Sequence, residues 1–438
     1  MFYFNILKYY LQLRIRPTFT NRQDLEQWQE QQIERLLKQI QQKSPYYKNL
    51  LLQYASWRQF PVMQKKQWME AFDQINTLII KQEEALEVAL NAEISRDFSP
   101  TLKNVTVGLS SGTSGSRGLF LVTPKERARW AAYVMDKILS PIQFRRRKIA
   151  FFLRANSNLY NSMQSLLFHF RFFDLKEKMD VNLQQLNQYQ PHILVAPASI
   201  LRHIAQAQRT KTITIQPEKI LSVAEILEQT DSDFIETVFQ QIIHQAYQCT
   251  EGFLALSCEY GTLHFNEDIV KIERQYIDAE KRRYHPIVTD FNRMGQPIIR
   301  YLLNDIVIDK PEPCACGSIF QAIDHIEGRA DDVFYFKNKY GNTTAIYPDF
   351  IRRAMIVPDT SMEEYAVEQL SWQSIHIFLH TSDFAQDQQI LHHSFFQLFE
   401  EYGIEDIALQ FFEGLPALKE NKLRRVKRSF DASNDLLC

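Results

Sequence analysis

The chain has 438 residues, 45% hydrophobic and 23% charged, with a net charge of −2. That length exceeds one compact core, so two domains are expected, or three. The near-neutral balance excludes a nucleic-acid partner held by a broad basic surface. Five cysteines, an odd number without framework spacing, point to a reducing, cytoplasmic setting.

In chain order, the apolar N-terminus is broken by Lys8, Arg14 and Arg16. It reads as a short amphipathic helix docked on the body, not a signal peptide or a membrane span, with loose membrane-surface contact as the alternative. Thr20 with Gln23 predicts a capping box. Leu25, Trp28, Ile33, Leu36, Leu37 and Ile40 then mark one helix face, which Ser44-Pro45 ends. From about residue 100, short apolar runs at 105–109, 119–122, 149–153, 192–196 and 219–224 alternate with helical patterns at 125–139, 199–208 and 231–246. The run Arg145-Arg146-Arg147-Lys148 reads as a solvated turn before a strand. Residues 261–310 are strand-rich, and the character shifts again after Gly328-Arg329. Beyond it, Ile375, Ile377 and Leu379 alternate as a strand, 386–402 reads as a helix and 407–412 as a strand. The fold class is α/β: a large N-terminal α/β domain with packed sheets (residues 1–328) and a small mobile α+β C-terminal domain (329–438).

Residues 110–118, Ser-Ser-Gly-Thr-Ser-Gly-Ser-Arg-Gly, place Gly112, Gly115 and Gly118 at spacing three, with hydroxyls from Ser110, Ser111, Thr113, Ser114 and Ser116 between them. Glycine lets backbone N–H groups turn inward, and the hydroxyls add donors, so the loop suits phosphate. A Walker-type loop would need a lysine after the last glycine and a following helix. Here a strand follows. The competing reading is a Gly/Ser hairpin turn.

Further polar clusters follow: Ser222-Val-Ala224-Glu225, Tyr247-Gln-Cys-Thr250-Glu251-Gly252 at the end of a helix-like stretch, Arg300-Tyr-Leu-Leu-Asn-Asp305, Gly328-Arg329-Ala-Asp331-Asp332 and Asn421-Lys422-Leu-Arg-Arg425. Each alone is ordinary packing or a solvated charge. Together and in this order they resemble the adenylate-forming, AMP-binding superfamily. The likeness is greatest to its phenylacetate–CoA ligase branch and to relatives of deazaflavin-coenzyme synthetases there. Ser44-Pro-Tyr-Tyr47 and Phe60-Pro-Val-Met-Gln-Lys65 resemble that branch's N-terminal region.

The resemblance implies an ATP-dependent ligase that turns a carboxylic acid, aryl or otherwise apolar, into an acyl-adenylate with release of pyrophosphate, then forms a coenzyme A thioester. It also implies roles. The 110–118 loop, Arg117 included, would cradle the β/γ-phosphates. Thr250 would bond a phosphate oxygen, and Glu251 would hold Mg²⁺. Tyr247, Ala224 and Glu225 would line the adenine slot. Asp305 would accept the ribose hydroxyls, with Arg329 at ribose or phosphate. Lys422 would act as a point charge at the reacting carboxylate, and Asp331 would mark the hinge. Departures stand at Ser116-Arg117, Gln248 and Asn304, where the family has Pro-Lys, Gly and Gly, and the strand after the hinge lacks the usual Arg-Gly. Adenylation is thus better supported than thioester formation. The alternatives are an adenylyltransferase that places AMP on a cofactor or metabolite, and a non-catalytic nucleotide-binding regulator.

Cys314-Ala-Cys316-Gly317, with Cys258 and His264 upstream, has the composition of a structural zinc site. The competing reading is reduced, partly buried thiols. Ile149–Leu153 opens into a polar loop whose Arg154, Asn156, Asn158 and Tyr160 are candidates for the acid pocket, since ligands gather beyond strand carboxyl ends. The competing reading there is an ordinary Asn-rich loop.

Overall fold

The computed structural model describes residues 2–15, 19–110, 118–138, 146–153, 168–357, 360–416, 424–430 and 432. Two compact units divide the chain: Met1–Leu303 with Ile308–His325, and Asn304–Val307 with Ile326–Cys438. No described helix is long and apolar enough to cross a membrane.

The first unit opens with helices α1 (Phe2–Arg14), α2 (Arg22–Ile40), α3 (Pro45–Gln53), α4 (Lys65–Glu70), α5 (Phe72–Ile75) and α6 (Gln82–Ser95). α2 buries Leu25, Ile33, Leu36, Leu37 and Ile40 on the expected face. Its cap is Asn21, not Thr20: the Asn21 side chain accepts from the Asp24 backbone N–H at 2.9 Å, because the helix starts one residue later than the Thr20–Gln23 pair predicts. α2 stops at Ile40, before Ser44-Pro45, and Ser44 caps α3, with Pro45 in its first turn.

A hairpin of β1 (Thr106–Leu109) and β2 (Leu119–Val122) leads to α7 (Pro124–Lys137), which α1 contacts. Then the main sheet begins. Strands β3 (Arg147–Leu153), β4 (Phe168–Asp174), β5 (Ile193–Ala196), β6 (Lys219–Val223) and β7 (Ile243–Cys249) run parallel in the order β4-β3-β5-β6-β7. Helices Met179–Tyr189, Ala198–Arg209 and Gln229–Phe239 connect them and pack a core around Phe152, Phe173, Leu194, Leu201, Ile220 and Ile235. Each such side chain contributes about 1.5–3 kcal/mol on full burial. That explains the unbroken apolar strand runs, since a parallel sheet is covered on both faces. The antiparallel part continues through β8 (Gly252–Ser257), β9 (Leu263–Phe265), β10 (Val270–Tyr276), β11 (Arg283–Asp290), β12 (Ile298–Leu302), β13 (Asp305–Asp309) and β14 (Ala322–Arg329).

Two expectations fail locally. The pattern over 231–246 is not one helix. It stops at Gln240 in the left-handed region (φ 55°), and the chain re-enters the sheet as β7. Burial of Ile243 against β6 outweighs the helical periodicity. Arg147 is not solvated either: it starts β3, is buried, and pairs with Glu218 at 3.3 Å.

The second unit has its own core. Strands Met362–Ser371, Ser374–Thr381, Ala408–Glu413 and Val426–Arg428 form a sheet, and helices Pro348–Met355 and Phe384–Glu401 join a cluster that includes Phe336, Ile377, Leu391 and Phe395. The protein is therefore α/β with a separate small α+β unit.

Candidate active site

The β7–β8 connection is a two-residue turn: Cys249 pairs with Gly252, leaving Thr250 and Glu251 at the tip. The Tyr247–Glu251 cluster thus lies on a strand and its turn, not at a helix end. The Thr250 hydroxyl donates to the Glu251 carboxylate at 2.8 Å. A β-bulge after Tyr247 bends the strand just before the turn.

The phosphate-loop candidate closes the β1–β2 hairpin. Residues 111–117, which include Ser111, Gly112, Thr113, Ser114, Gly115 and Arg117, lie outside the described residues. Their anchors do not. The Ser110 N–H donates to the Gly118 carbonyl at 2.7 Å, and the Gly118 N–H to Ser110 Oγ at 2.7 Å. The loop therefore leaves and re-enters the fold at one clamped point.

That clamp faces the Thr250–Glu251 turn across a shallow depression lined by Lys65, Gly118, Thr250, Glu251, Gln296 and Tyr301. Lys65 Nζ approaches Ser110 Oγ at 3.4 Å. α4 is placed there by main-chain bonds between Met63 and Arg300/Leu302 at 2.9 Å.

The supporting network was not legible as a motif. Arg293 donates to the Thr250 carbonyl (2.9 Å), to the Leu121 carbonyl (3.3 Å) and to Gln296 Oε1 (2.9 Å). Gln296 also bonds one edge of β2 at two points, accepting from the Leu121 N–H at 2.8 Å and donating to the Leu119 carbonyl at 3.1 Å. Glu126 in α7 accepts from the N–H groups of Met294 and Gly295 at 2.7 and 2.8 Å. One segment, 292–296, thus ties the phosphate-loop hairpin to the Thr250–Glu251 turn. Beneath it, burial pushes the Asp290 carboxyl up to about 6 against the opposing pull of Arg293.

Ala224 and Glu225 follow the carboxyl end of β6, beside β7, where Val223 pairs with Ala246 one residue before Tyr247. Ala224 takes a left-handed conformation (φ 64°), and the Glu225 N–H bonds back to the Val223 carbonyl at 2.8 Å. The Glu225 carboxylate accepts from the Ser199 N–H at 3.0 Å, at the start of helix Ala198–Arg209. Its side chain has a structural task, and its backbone is what this strand end presents.

In the second unit, Asp305 Oδ1 lies 3.6 Å from Arg329 Nε. Asn304 donates to Asp331 at 2.7 Å and its carbonyl accepts from the Ala330 N–H at 2.8 Å. The side chain that departs from the family's glycine thus fastens the 304–305 segment to 329–331. Gly328 needs its φ of 151°, and a Cβ there would meet Pro348 at 3.2 Å. Arg424 pairs with Asp332, whose buried carboxyl is pushed up by burial and drawn down by that arginine. Lys422 lies outside the described residues, as do Arg154, Asn156, Asn158 and Tyr160.

A separate cluster sits in the first unit. Cys258, His264, Cys314 and Cys316 bring their ligand atoms within 4.8 Å of one another. Cys258 opens a tight turn closed by Gly261 (φ 79°), and Cys314 a second turn closed by the Gly317 N–H at 3.1 Å. The Cys258 and Cys314 sulfurs are 3.7 Å apart, and Cys316 Sγ is 3.4 Å from His264 Nε2. Two sulfurs at about 2.3 Å from one tetrahedral zinc would lie about 3.8 Å apart, whereas a disulfide needs about 2.05 Å. His264 Nδ1 bonds the Phe320 carbonyl at 2.9 Å, which leaves Nε2 for a ligand role. Burial opposes ionisation of Cys314, but hydrogen bonds from the Cys316 backbone, Thr262 and His264 draw it below the usual thiol range.

Solved structures share this architecture. A 2-hydroxyisobutyryl-CoA ligase in its postadenylation state with 2-HIB-AMP matches over 92% of this chain and 90% of its own, at TM-score 0.62 and 15% identity. The fold is that of adenylate-forming ligases. Fatty acyl-adenylate ligases from E. coli and L. pneumophila match over 72% of this chain and 67% of theirs (TM-score 0.52, 12% identity). An amide bond synthetase from Marinactinospora thermotolerans matches over 72% and 66% (TM-score 0.50, 11% identity). No family model and no curated protein matches the sequence.

Proposed function

We propose that the protein is an ATP-dependent adenylate-forming ligase that activates an apolar or aryl carboxylic acid as its acyl-adenylate, and that coenzyme A is the acceptor. The observation that carries this reading is the Thr250–Glu251 turn facing the Ser110–Gly118 clamp across one depression. It supports the reading because a carboxylate, a hydroxyl and a lysine share that depression with Gly118, an end of the glycine- and hydroxyl-rich segment 110–118.

In this reading Lys65 and the loop donors hold the phosphates, and Glu251 holds Mg²⁺, which would screen the polyphosphate charge. Hard-cation preference suits a carboxylate held in place by its neighbour's hydroxyl. Thr250 is oriented from behind by Arg293 and can turn its hydroxyl to a phosphate oxygen. Tyr247 and the 224–225 backbone flank the adenine, Asp305 takes the ribose hydroxyls, Arg329 steadies Asp305 or the phosphate, and Lys422 screens the attacking carboxylate. Asp331 is the hinge. The Arg154–Tyr160 loop contributes to the acid pocket. The Cys258–His264–Cys314–Cys316 cluster holds structural Zn²⁺; its spacings fit the ion and its donor set is closed, with no position left for chemistry.

The test is acid-dependent pyrophosphate release across a panel of carboxylic acids, with and without coenzyme A. Release together with thioester supports the reading. Release of pyrophosphate without coenzyme A consumption would assign nucleotidyl transfer instead, and ATP binding with no release from any acid would leave a regulatory nucleotide-binding protein.

A further inference from the structure

Lys65 and Trp68 stand three apart in α4, so the helix carries both side chains on one side. Both line the depression that holds Gly118, Thr250 and Glu251. Trp68 is 4% exposed, and its ring meets those of Phe72 and Tyr301 edge-on at 5.9 and 6.0 Å. Packing accounts for the ring but not for its nitrogen. Trp68 Nε1–H is buried and has no hydrogen-bond partner among the described residues. Two other indoles are provided for: Trp57 donates to Glu30, and Trp130 donates to Gln248 Oε1 at 3.3 Å. A buried donor without an acceptor costs its full desolvation penalty, and phenylalanine would supply an aromatic ring without that cost. In the wall of a ligand site, such a donor points to a ligand oxygen.

The neighbours select that oxygen. The Lys65 ammonium, with Nζ at 3.4 Å from Ser110 Oγ, favours an anion. The Glu251 carboxylate repels one unless a cation lies between them. A lone carboxylate brings no cation, whereas a polyphosphate carries Mg²⁺ with it. We infer that Trp68 Nε1–H, beside Lys65, donates to the β- or γ-phosphate oxygens of ATP, so that Trp68 selects a nucleoside triphosphate over a monophosphate and holds pyrophosphate before its release. This inference rests on the reading of the depression as the phosphate site.

The test is calorimetric titration of the full chain with Mg²⁺–pyrophosphate, Mg²⁺–ATP and AMP, before and after Trp68→Phe. The substitution keeps a ring against Phe72 and Tyr301 and removes the donor. Pyrophosphate and ATP affinities should fall by about ten- to a hundredfold, the range for a lost hydrogen bond to a charged group, with AMP affinity unchanged. Proton–nitrogen NMR of the unaltered protein needs no variant: one of the five indole N–H resonances should move downfield with pyrophosphate and stay in place with AMP. Equal pyrophosphate affinity in the variant, or no indole shift in the unaltered protein, would overturn the assignment and leave the ligase reading standing. A variant whose KM rises for the acid alone would overturn it in favour of a carboxylate partner. Unaltered protein that binds neither ATP nor pyrophosphate would remove the ligase reading and this assignment with it.

Discussion

The Arg293 guanidinium donates to the Thr250 carbonyl at 2.9 Å and so fixes, from behind, the turn that presents Glu251. Arg293 touches no proposed ligand and acts through Thr250. Its loss also frees the carbonyl of Leu121 and a contact to Gln296. Arg293→Met should lower pyrophosphate release by roughly ten- to a hundredfold, the usual effect of removing a partner that orients a ligand-bearing group. Arg293→Lys should restore part of it. Equal activity in all three proteins would detach the turn from this support.

Glu251 is assigned to Mg²⁺ on charge. Glu251→Gln keeps the shape and removes the anion, so acyl-adenylate formation should fall by about two orders of magnitude or more at any practical Mg²⁺ concentration. Stopped-time assays of adenylate over a Mg²⁺ series check this. A variant that recovers fully at higher Mg²⁺ would show that Glu251 only assists.

Lys422→Ala should preserve ATP affinity and slow adenylation by roughly two to four orders of magnitude, the range for one preorganised electrostatic group. Lys419→Ala and Lys427→Ala are the comparisons. Lys427 is engaged with Glu368 at 2.8 Å, so its replacement should cost stability more than rate. Were all three equally slow, the lysine would be misassigned.

Purified protein should carry about one zinc per chain, and Cys316→Ser should lose both the metal and several degrees of melting temperature. Elemental analysis of protein prepared without chelator decides it; zinc-free protein of unchanged stability would leave three reduced thiols and no site.

Asp290 gives the stability a pH dependence of unusual sign. Its carboxyl titrates near 6 in the fold, raised by burial from the ordinary value of 3.8. The native state therefore holds the proton more tightly than the unfolded chain. This group's contribution is most favourable at low pH and is lost as pH rises through about 6, by on the order of 2–3 kcal/mol. Asp290→Asn should remove that loss, so its stability relative to the unaltered protein should improve between about pH 4 and pH 7. Urea unfolding at both ends of the interval measures it. A constant difference would mean that Arg293 already holds Asp290 ionised.

The sequence by itself determined the order of chemistry-bearing clusters and the α/β pattern with a distinct C-terminal part. Local periodicity and turn residues are short-range signals, and they survive without a partner. It also put Cys258, His264, Cys314 and Cys316 in one group, because soft-ligand residues in that number are rare enough to stand out. Only the tertiary structure decided that Tyr247–Glu251 lies on a strand and its turn: helical spacing over 231–246 competes with burial of Ile243 against β6, and burial is a long-range term. It likewise revealed Arg293, Gln296, Glu126 and Lys65 as one support around the turn and the clamp. Each is separated by tens to hundreds of residues from what it holds, and hydrogen bonds across such gaps leave no local pattern in the sequence.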